Sequence, residues 1–283
     1  MRVSEPVSGD RPAGGALGSV AGWGFPACAG WMSAGPSEVS VREVTGAVDR
    51  PFQWASVTKL VTAFAVWVAV EEGTVSWEDP AGPDGSTLSH LLAHASGLAP
   101  DRDAVLAPPG RRRIYSNQGF EVAAAHLAAA AGMPFATYAR EAVLEPLGMT
   151  GTRLEGSPAW GASGPLRDLM ALAGELLRPR LIGAGTLALA TTVAFPGLSG
   201  VLPGFGSQKD NDWGLGPELR DHKDPHWTGR LNSPGTFGHF GRSGSLLWVD
   251  PAAGRALVSL SERPFGPWAA DAWPRLSDSV LAG

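Results

Sequence analysis

An almost wholly apolar segment at residues 60–70 is the feature that most constrains the fold of this chain. Its side chains recur at helical spacing, and they are Leu60, Val61, Phe64, Ala65, Val68 and Ala69. The segment is shorter than the about 20 residues that a helix needs to cross a bilayer. It therefore predicts a helix buried inside a domain, with Ser56 at its start and Gly73 at its end.

Two polar residues stand at the mouth of this predicted helix. Ser56 and Lys59 are three positions apart and so share a helix face. A serine hydroxyl needs a base to become a nucleophile, and a lysine can serve if burial and cationic neighbours lower its pKa. The free N–H groups of the helix start suit an oxyanion. The alternative is an N-cap serine beside a solvated lysine, which a fully apolar helix disfavours.

Two further segments carry candidate chemistry. Tyr115 and Asn117 lie in a predicted loop, where the phenol can act as a base only if nearby cations stabilise its phenolate. The Asn117 amide can bridge Lys59 and a substrate carbonyl. Residues 238–244 are glycine-rich, which allows close approach of the backbone to a substrate. Packing roles, a buried tyrosine and a hairpin with a structural histidine, are the alternatives.

The three elements, in this order, resemble the serine β-lactamase and penicillin-binding-protein superfamily. They resemble its Ser-x-x-Lys motif, the Tyr-x-Asn motif of its class C β-lactamase, D-Ala-D-Ala carboxypeptidase and esterase branch, and the His-x-Gly form of its third motif. The matching residues are Ser56 and Lys59, Tyr115 and Asn117, and His239 and Gly241. Residues 91–98 are similar to that branch's Leu-Leu-x-His-x-Ser-Gly stretch, and the resemblance covers roughly residues 51–251.

The resemblance implies a role for each matching residue. Ser56 would be the nucleophile and Lys59 its base, while Tyr115 would pass the proton to the leaving group. Asn117 would position the substrate, and His239 and Gly241 would face the site. The N–H groups of Ser56 and Arg242 would form the oxyanion hole.

One departure from the family pattern bears on the substrate. His239 stands where the third motif often has lysine, so we expect a charge that titrates near pH 6.5 in place of a constant one. This weakens the case for binding a β-lactam carboxylate, for which the Arg242 side chain could partly compensate. No Glu-x-x-Leu-Asn element of the class A enzymes is present.

The order of elements predicts an α+β fold. Strands come first, then many helices, then strands and a last helix, which fits an antiparallel sheet assembled from both ends of the chain. With the resemblance, this gives a two-lobed, β-lactamase-like architecture. Residues 1–78 and 193–283 would form the lobe that holds the sheet, residues 79–192 a helical lobe, and the active site the cleft between them.

Metal and cofactor sites find little support. His90 and His94 are spaced as a metal pair on a helix could be, but no third ligand is evident. The segment 221–226 holds two histidines and two carboxylates, and a loop at the rim of the cleft is the preferred interpretation. The single cysteine, Cys28, excludes an internal disulfide. We expect no cofactor and no metal.

Composition bounds the partners and the location. The net charge is -5, without a basic run or aromatic-basic stripe that would indicate nucleic acid. Residues 1–15 lack a secretory signal pattern. We expect a cytoplasmic protein whose partner is a small ester or amide, with no nucleic-acid or membrane partner; the oligomeric state stays open.

The function predicted from these residues is acyl transfer to water through a Ser56 acyl-enzyme. A carboxylesterase is the first choice, followed by a D-amino-acid peptidase and then a weak β-lactamase of the same fold. The alternative from another class is a catalytically silent protein that keeps the cleft for binding. The presence of Ser56, Lys59 and Tyr115 together argues against that alternative.

Overall fold

The computed structural model describes residues 15–283, and the predictions made for residues 1–14 lie outside that range. The strands are β1 (Ala27–Ala34), β2 (Val39–Gly46), β3 (Phe52–Gln53), β4 (Arg153–Leu154), β5 (Ala162–Gly164), β6 (Gly200–Leu202), β7 (Gly206–Gln208), β8 (Glu218–Leu219), β9 (Phe237–Gly241), β10 (Ser245–Asp250) and β11 (Arg255–Ser261). The α-helices are α1 (Thr58–Glu71), α2 (Leu88–Leu92), α3 (Asn117–Ala131), α4 (Phe135–Ala139), α5 (Leu166–Leu177), α6 (Ala184–Ala190) and α7 (Pro267–Ala282).

The central sheet has six strands in the order β2-β1-β11-β10-β9-β8. Neighbouring strands pair antiparallel, and β1 pairs with β11 from Ala27 opposite Ser261 to Ser33 opposite Arg255. Strands from the first fifth of the chain thus lie against strands from its last fifth. The predicted α+β fold, with an antiparallel sheet assembled from both ends, is confirmed.

Both faces of the sheet are covered by helices, because alternate side chains of a strand point to opposite faces. Leu246 and Trp248 of β10 share a buried cluster with α7, where the Trp248 indole donates to Ser277 Oγ at 3.0 Å. Leu247 and Val249 belong to the other cluster, which contains α5 and α1. This explains why β10 and β11 lack the polar alternation of a strand with one solvated face.

Helix α1 has the predicted position and is buried from Thr58 to Ala69. Its start differs slightly from the prediction, because a 3₁₀ turn, Ala55–Val57, precedes it. Gly73 follows the last turn with φ of +74°, and its N–H donates to Val70 O at 3.1 Å. A left-handed residue at this place ends a helix, and glycine adopts that conformation without strain.

The sequence Trp-Gly-Leu-Gly at residues 213–216 predicts a short strand-like run, and this prediction is wrong, because only an isolated bridge from Trp213 to Glu218 forms there. Leu215 N–H donates to Ala190 O at 2.8 Å, at the end of α6, and Gly214 N–H donates to Pro217 O at 2.9 Å. Gly216 has φ of +130°, far from strand geometry. These backbone groups are used by a turn and a helix end, so the edge strand forms later, as β8.

Helix α5 lies in the segment predicted as the helical lobe and packs on the sheet, with Leu169 and Met170 in the same buried cluster as Leu247 and Val258. The division at residues 79 and 192 stays a prediction. Among residues 15–283, no single helix is long and apolar enough to cross a membrane. In this part of the chain, only α3 and the segment Phe135–Leu144, which begins with α4, meet that criterion when they are taken together. The two are bent by 83° relative to each other.

Candidate active site

Ser56 is half-buried in the 3₁₀ turn that leads directly into α1. Ala55, just before it, has φ of +44°, which residues other than glycine rarely adopt. Trp54 anchors this strained backbone: its indole donates to Gly164 O at 3.1 Å, and its N–H donates to Ala162 O at 2.9 Å. The turn that carries Ser56 is therefore held in place by hydrogen bonds from Trp54 to strand β5.

The turn between β9 and β10 holds the same segment from the other side. Ser243 Oγ donates to Gln53 O at 2.7 Å, and Ser245 Oγ donates to Trp54 O at 2.6 Å. A Cβ at Gly241 would lie 2.3 Å from Trp54 O, so only glycine permits this approach. The glycine predicted in the third motif thus lets the end of β9 contact the backbone beside Ser56.

Lys59 is fully buried and directs its ammonium to three acceptors. Nζ lies 2.5 Å from Asn117 Oδ1, 3.0 Å from Ala159 O and 3.4 Å from Ser56 Oγ. Burial lowers the pKa of Lys59 from 10.5 to about 7, although the negative charges of Asp101 and Glu121 oppose that change. A lysine that is partly neutral at pH 7, within reach of a serine hydroxyl, has the properties of a general base.

The start of helix α3 brings Asn117 to this lysine. Ser116 caps the helix by accepting from Gly119 N at 3.0 Å, and its own hydroxyl donates to Ala99 O at 2.7 Å. The Asn117 N–H donates to Pro100 O at 2.7 Å, and its Nδ2 donates to Asp101 Oδ1 at 2.6 Å. The amide is thereby oriented with its oxygen toward Lys59.

The carbonyl of Ala159 is a contact of Lys59 that the sequence did not reveal. Thr62 Oγ1 donates to Pro158 O at 2.6 Å, and the Ala162 N–H donates to Thr58 Oγ1 at 3.0 Å. These two threonines hold residues 158–162 against α1. Thr58 and Thr62 are four positions apart on an otherwise apolar helix, and this polar pair was the available signal.

Tyr115 lies beside the lysine, whose Nζ is 4.8 Å from the centre of the phenol ring. Burial raises the pKa of Tyr115, and a hydrogen bond with Ser56 opposes the rise only partly. The phenol is therefore protonated near neutral pH. Action as a base, which the sequence allows only if cations stabilise the phenolate, is therefore not favoured in the resting site, and the role of Tyr115 stays a prediction.

His239 is buried at the third motif, 5.9 Å from Tyr115 between ring centres. Its Nδ1–H donates to Phe240 O at 2.7 Å, so Nε2 carries a lone pair; that atom has no partner within residues 15–283. Burial and the nearby Lys59 lower the pKa of His239 to about 3. The expected charge change near pH 6.5 is therefore wrong, and His239 is a neutral acceptor.

Arg242 follows Gly241 at the end of β9 and its side chain is exposed. Its carbonyl accepts from the Phe265 N–H at 2.9 Å, which fixes the peptide. Its assignment as an oxyanion donor stays a prediction, as do the roles of the other site residues. The fold nevertheless brings the three motifs together, with Lys59 beside Ser56 and Asn117, and His239 near Tyr115.

The histidines considered as metal ligands are held by other contacts. His90 Nδ1 lies 2.8 Å from Thr87 Oγ1, whereas His94 Nδ1 accepts from the Ser116 N–H at 3.1 Å. In the loop at 221–226, His226 Nε2 lies 2.9 Å from Glu218 Oε2, while His222 is exposed. In the part of the chain that the structure describes, no three His, Cys, Asp or Glu side chains could hold a metal ion.

Comparisons with known proteins show which family this chain belongs to. A family model described as Beta-lactamase matches residues 28–282. The crystal structure of a β-lactamase from Mycobacterium bovis shares 54% identity, with a TM-score of 0.91 over 94% of this chain and 98% of that one.

More distant relatives extend the comparison. AmpH, a D-alanyl-D-alanine-carboxypeptidase/endopeptidase of Escherichia coli K12, is 29% identical over 148 residues; the match covers 39% of this chain and only 38% of AmpH. Unliganded simvastatin synthase (LovD) from Aspergillus terreus is 18% identical, with a TM-score of 0.77 over 93% of this chain and 95% of that one. The last comparison concerns the fold alone.

Proposed function

This chain belongs to the Beta-lactamase family of serine hydrolases, and on that premise we propose that it hydrolyses small carboxylic esters through an acyl-enzyme on Ser56. The observation that carries the proposal is the buried Lys59, with its lowered pKa, 3.4 Å from the hydroxyl of Ser56. Burial makes the charged form of a lysine costly, which favours the neutral amine that can accept the proton of a serine hydroxyl.

In the proposed acylation, neutral Lys59 accepts the proton of Ser56 Oγ as the oxygen attacks the ester carbonyl carbon. The N–H groups of Ser56 and Arg242 stabilise the oxyanion of the tetrahedral intermediate. The C–O bond to the alcohol breaks when Tyr115 donates its phenol proton to the departing oxygen. Lys59 then returns a proton to Tyr115, so that both groups regain their initial states.

Deacylation in this scheme repeats the steps with water as the nucleophile. Lys59 accepts a proton from the water that attacks the acyl carbon and then gives it to Ser56 Oγ as that oxygen leaves, so both groups regain their initial states. The two carbonyl contacts of Lys59, with Asn117 Oδ1 and Ala159 O, keep its nitrogen beside Ser56 throughout. The products are the carboxylic acid and the alcohol.

Intact-mass spectrometry tests the proposal. Wild-type protein and Ser56→Ala are incubated with 4-nitrophenyl butyrate, a fluorophosphonate and benzylpenicillin. We expect an adduct with the fluorophosphonate and turnover of the butyrate by wild type only. No adduct with any reagent, in protein shown by circular dichroism to be folded, would contradict it and favour the catalytically silent binding protein.

A β-lactamase is the second candidate, because the 54% identical Mycobacterium bovis protein is described as one. The peptidase alternative has its support in AmpH, over a shorter match. The neutral His239 favours esters over β-lactams and peptides as substrates, since it offers no cation to a substrate carboxylate. Benzylpenicillin turnover that exceeds butyrate turnover would reverse this ranking.

A further inference from the structure

The exposed carboxylate of Asp101 is connected to Lys59, the proposed base, through the side chain of Asn117. Its Oδ1 accepts from Asn117 Nδ2 at 2.6 Å, and Asn117 Oδ1 in turn accepts from Lys59 Nζ at 2.5 Å. Asp101 itself is exposed, and the structure records no salt bridge to it among residues 15–283. Its charge is therefore not neutralised by a direct ion-pair partner in the described part of the chain.

The buried titratable groups around Ser56 offset only part of this negative charge. Lys59 is partly neutral at pH 7, and burial keeps both His94 and His239 uncharged through their lowered pKa values. Arg113 is buried, and its guanidinium donates to the backbone carbonyls of four residues, so it cannot reach a substrate. Glu121 adds a second carboxylate whose field reaches Lys59.

We propose that Asp101 is a specificity-determining residue that makes this site select uncharged acyl substrates over those with a carboxylate near the scissile bond. The proposal rests on the proposed ester hydrolysis and names its substrate class. A carboxylate beside the reacting carbonyl meets the field of Asp101, and the acceptor nitrogen of His239 offers it no hydrogen bond. An uncharged group at the same place is not repelled by Asp101 and does not need a hydrogen-bond donor from His239.

Asp101 also positions Asn117. Because the carboxylate accepts from Nδ2, the amide oxygen faces Lys59 and one Nδ2 hydrogen stays available to a substrate carbonyl. Arg242 is the rival feature, since its exposed guanidinium at the end of β9 is a cation that a carboxylate substrate could use.

The experiment compares two substrates, 4-nitrophenyl adipate monoester and its methyl ester, which differ by one negative charge and one methyl group. Their kcat/KM values, and the rates at which they acylate Ser56 by intact mass, are measured for wild type, Asp101→Asn and Arg242→Gln. Asparagine keeps an oxygen that accepts from Asn117 and removes only the charge. We expect wild type to prefer the methyl ester, and Asp101→Asn to reduce that preference about three- to tenfold.

Ionic strength provides a readout that a structural role would not change. Raising salt from about 0.02 to 0.5 M shortens the range of charge interactions from about 20 Å to about 4 Å. The preference of wild type should fall with salt, and that of Asp101→Asn should change much less. A ratio that is the same in wild type and Asp101→Asn would overturn the proposal.

A preference of wild type for the monoester that is lost in Arg242→Gln would also overturn it and would assign carboxylate binding to Arg242. These results are distinct from a failure of the proposed function. In that case neither ester acylates Ser56 in any of the three proteins, and both the function and the substrate class are rejected together.

Discussion

The hydroxyl of Ser245 donates to the carbonyl oxygen of Trp54 at 2.6 Å, joining residues that are 191 positions apart in the chain. The neighbouring Ser243 makes the equivalent bond to Gln53 O at 2.7 Å. Both bonds fix the backbone just before the strained Ala55, which has no freedom to relax while they persist. The placement of Ser56 thus depends on the turn between β9 and β10.

Removal of the Ser245 hydroxyl should therefore lower activity as well as stability. We expect Ser245→Ala to lose about 1–2 kcal/mol of unfolding free energy, because the buried Trp54 carbonyl loses a donor. We also expect kcat/KM to fall at least about tenfold, since small shifts of a nucleophile are costly. Denaturant unfolding and 4-nitrophenyl butyrate turnover measure the two effects.

Ser259→Ala is the matched control for that variant. Ser259 is also fully buried in the sheet and donates to a backbone carbonyl, Cys28 O, at 3.2 Å. It should lose comparable stability with little change in kcat/KM. Equal losses of activity in Ser245→Ala and Ser259→Ala would show that the Ser245 bond has no special connection with catalysis.

Activity should rise with pH through the pKa of Lys59. The neutral amine is the form that accepts a proton, and its pKa is about 7, so kcat/KM should fall below pH 7 and level off above it. Glu121→Gln removes a charge that raises this pKa, so its profile should move to lower pH. An unchanged midpoint in Glu121→Gln, or a rate that is flat from pH 5 to 9, contradicts Lys59 as the base.

The same lysine predicts a change of stability with pH. Between pH 7 and 10.5 the amine is neutral in the folded protein but protonated when unfolded, so the unfolded state binds more protons. The unfolding free energy of wild type minus that of Lys59→Met should rise by about 1.4 kcal/mol per pH unit in this window. Urea titrations at pH 7, 8 and 9 measure the slope, and a zero slope would mean that buried Lys59 keeps an ordinary pKa.

Tyr115→Phe should discriminate between leaving groups. Loss of a proton donor slows the release of an alkoxide, so we expect about 10²- to 10⁴-fold lower kcat/KM for ethyl butyrate. 4-Nitrophenolate leaves without protonation, and the loss for 4-nitrophenyl butyrate should stay below about tenfold. Equal losses for the two esters would point to a role in binding or in packing against His94, 4.6 Å away between ring centres.

His239 should remain uncharged across the working range of pH. Its pKa is lowered to about 3, so its imidazole Cε1–H signal in NMR spectra should not shift between pH 5 and 8. His239→Gln assigns that signal and should leave the midpoint of the pH profile unchanged while lowering the rate. A shift of the signal with a midpoint near pH 6.5 would restore the titrating charge expected from the sequence.

Much of the fold followed from patterns that are local in sequence. The spacing of apolar side chains predicts helices at residues 60–70 and 166–177, where α1 and α5 lie. Glycine, proline and aspartate divide strand-like runs at residues 235–239, 245–249 and 255–261, where β9, β10 and β11 lie. The prediction of a strand at residues 213–216 failed because the Leu215 N–H donates to Ala190 O at the end of α6, a partner outside the local sequence. Composition within a short window contains no information about such partners.

In the candidate site, too, residues that belong to motifs were predicted from the sequence, whereas contacts that depend on the fold were not. The motifs around Ser56, Tyr115 and His239 were recognisable as residue patterns, and the fold places them within one site. The Ala159 carbonyl and the Asp101 carboxylate were missed, because any residue can offer a carbonyl and a single aspartate in a loop has no distinguishing pattern. The protonation of Tyr115 and His239 depends on burial, which a motif does not specify.

The pairing of β1 with β11 has a consequence for the growing chain on the ribosome. Ser56, Lys59 and Tyr115 are synthesised well before Ser261, which pairs with Ala27. They also precede Ser243 and Ser245, which fix the segment ahead of Ser56. At about 5–20 residues per second, the nascent polypeptide carries all three groups for many seconds before their arrangement can be completed. The arrangement around Ser56 can therefore be completed only when translation nears the last strand.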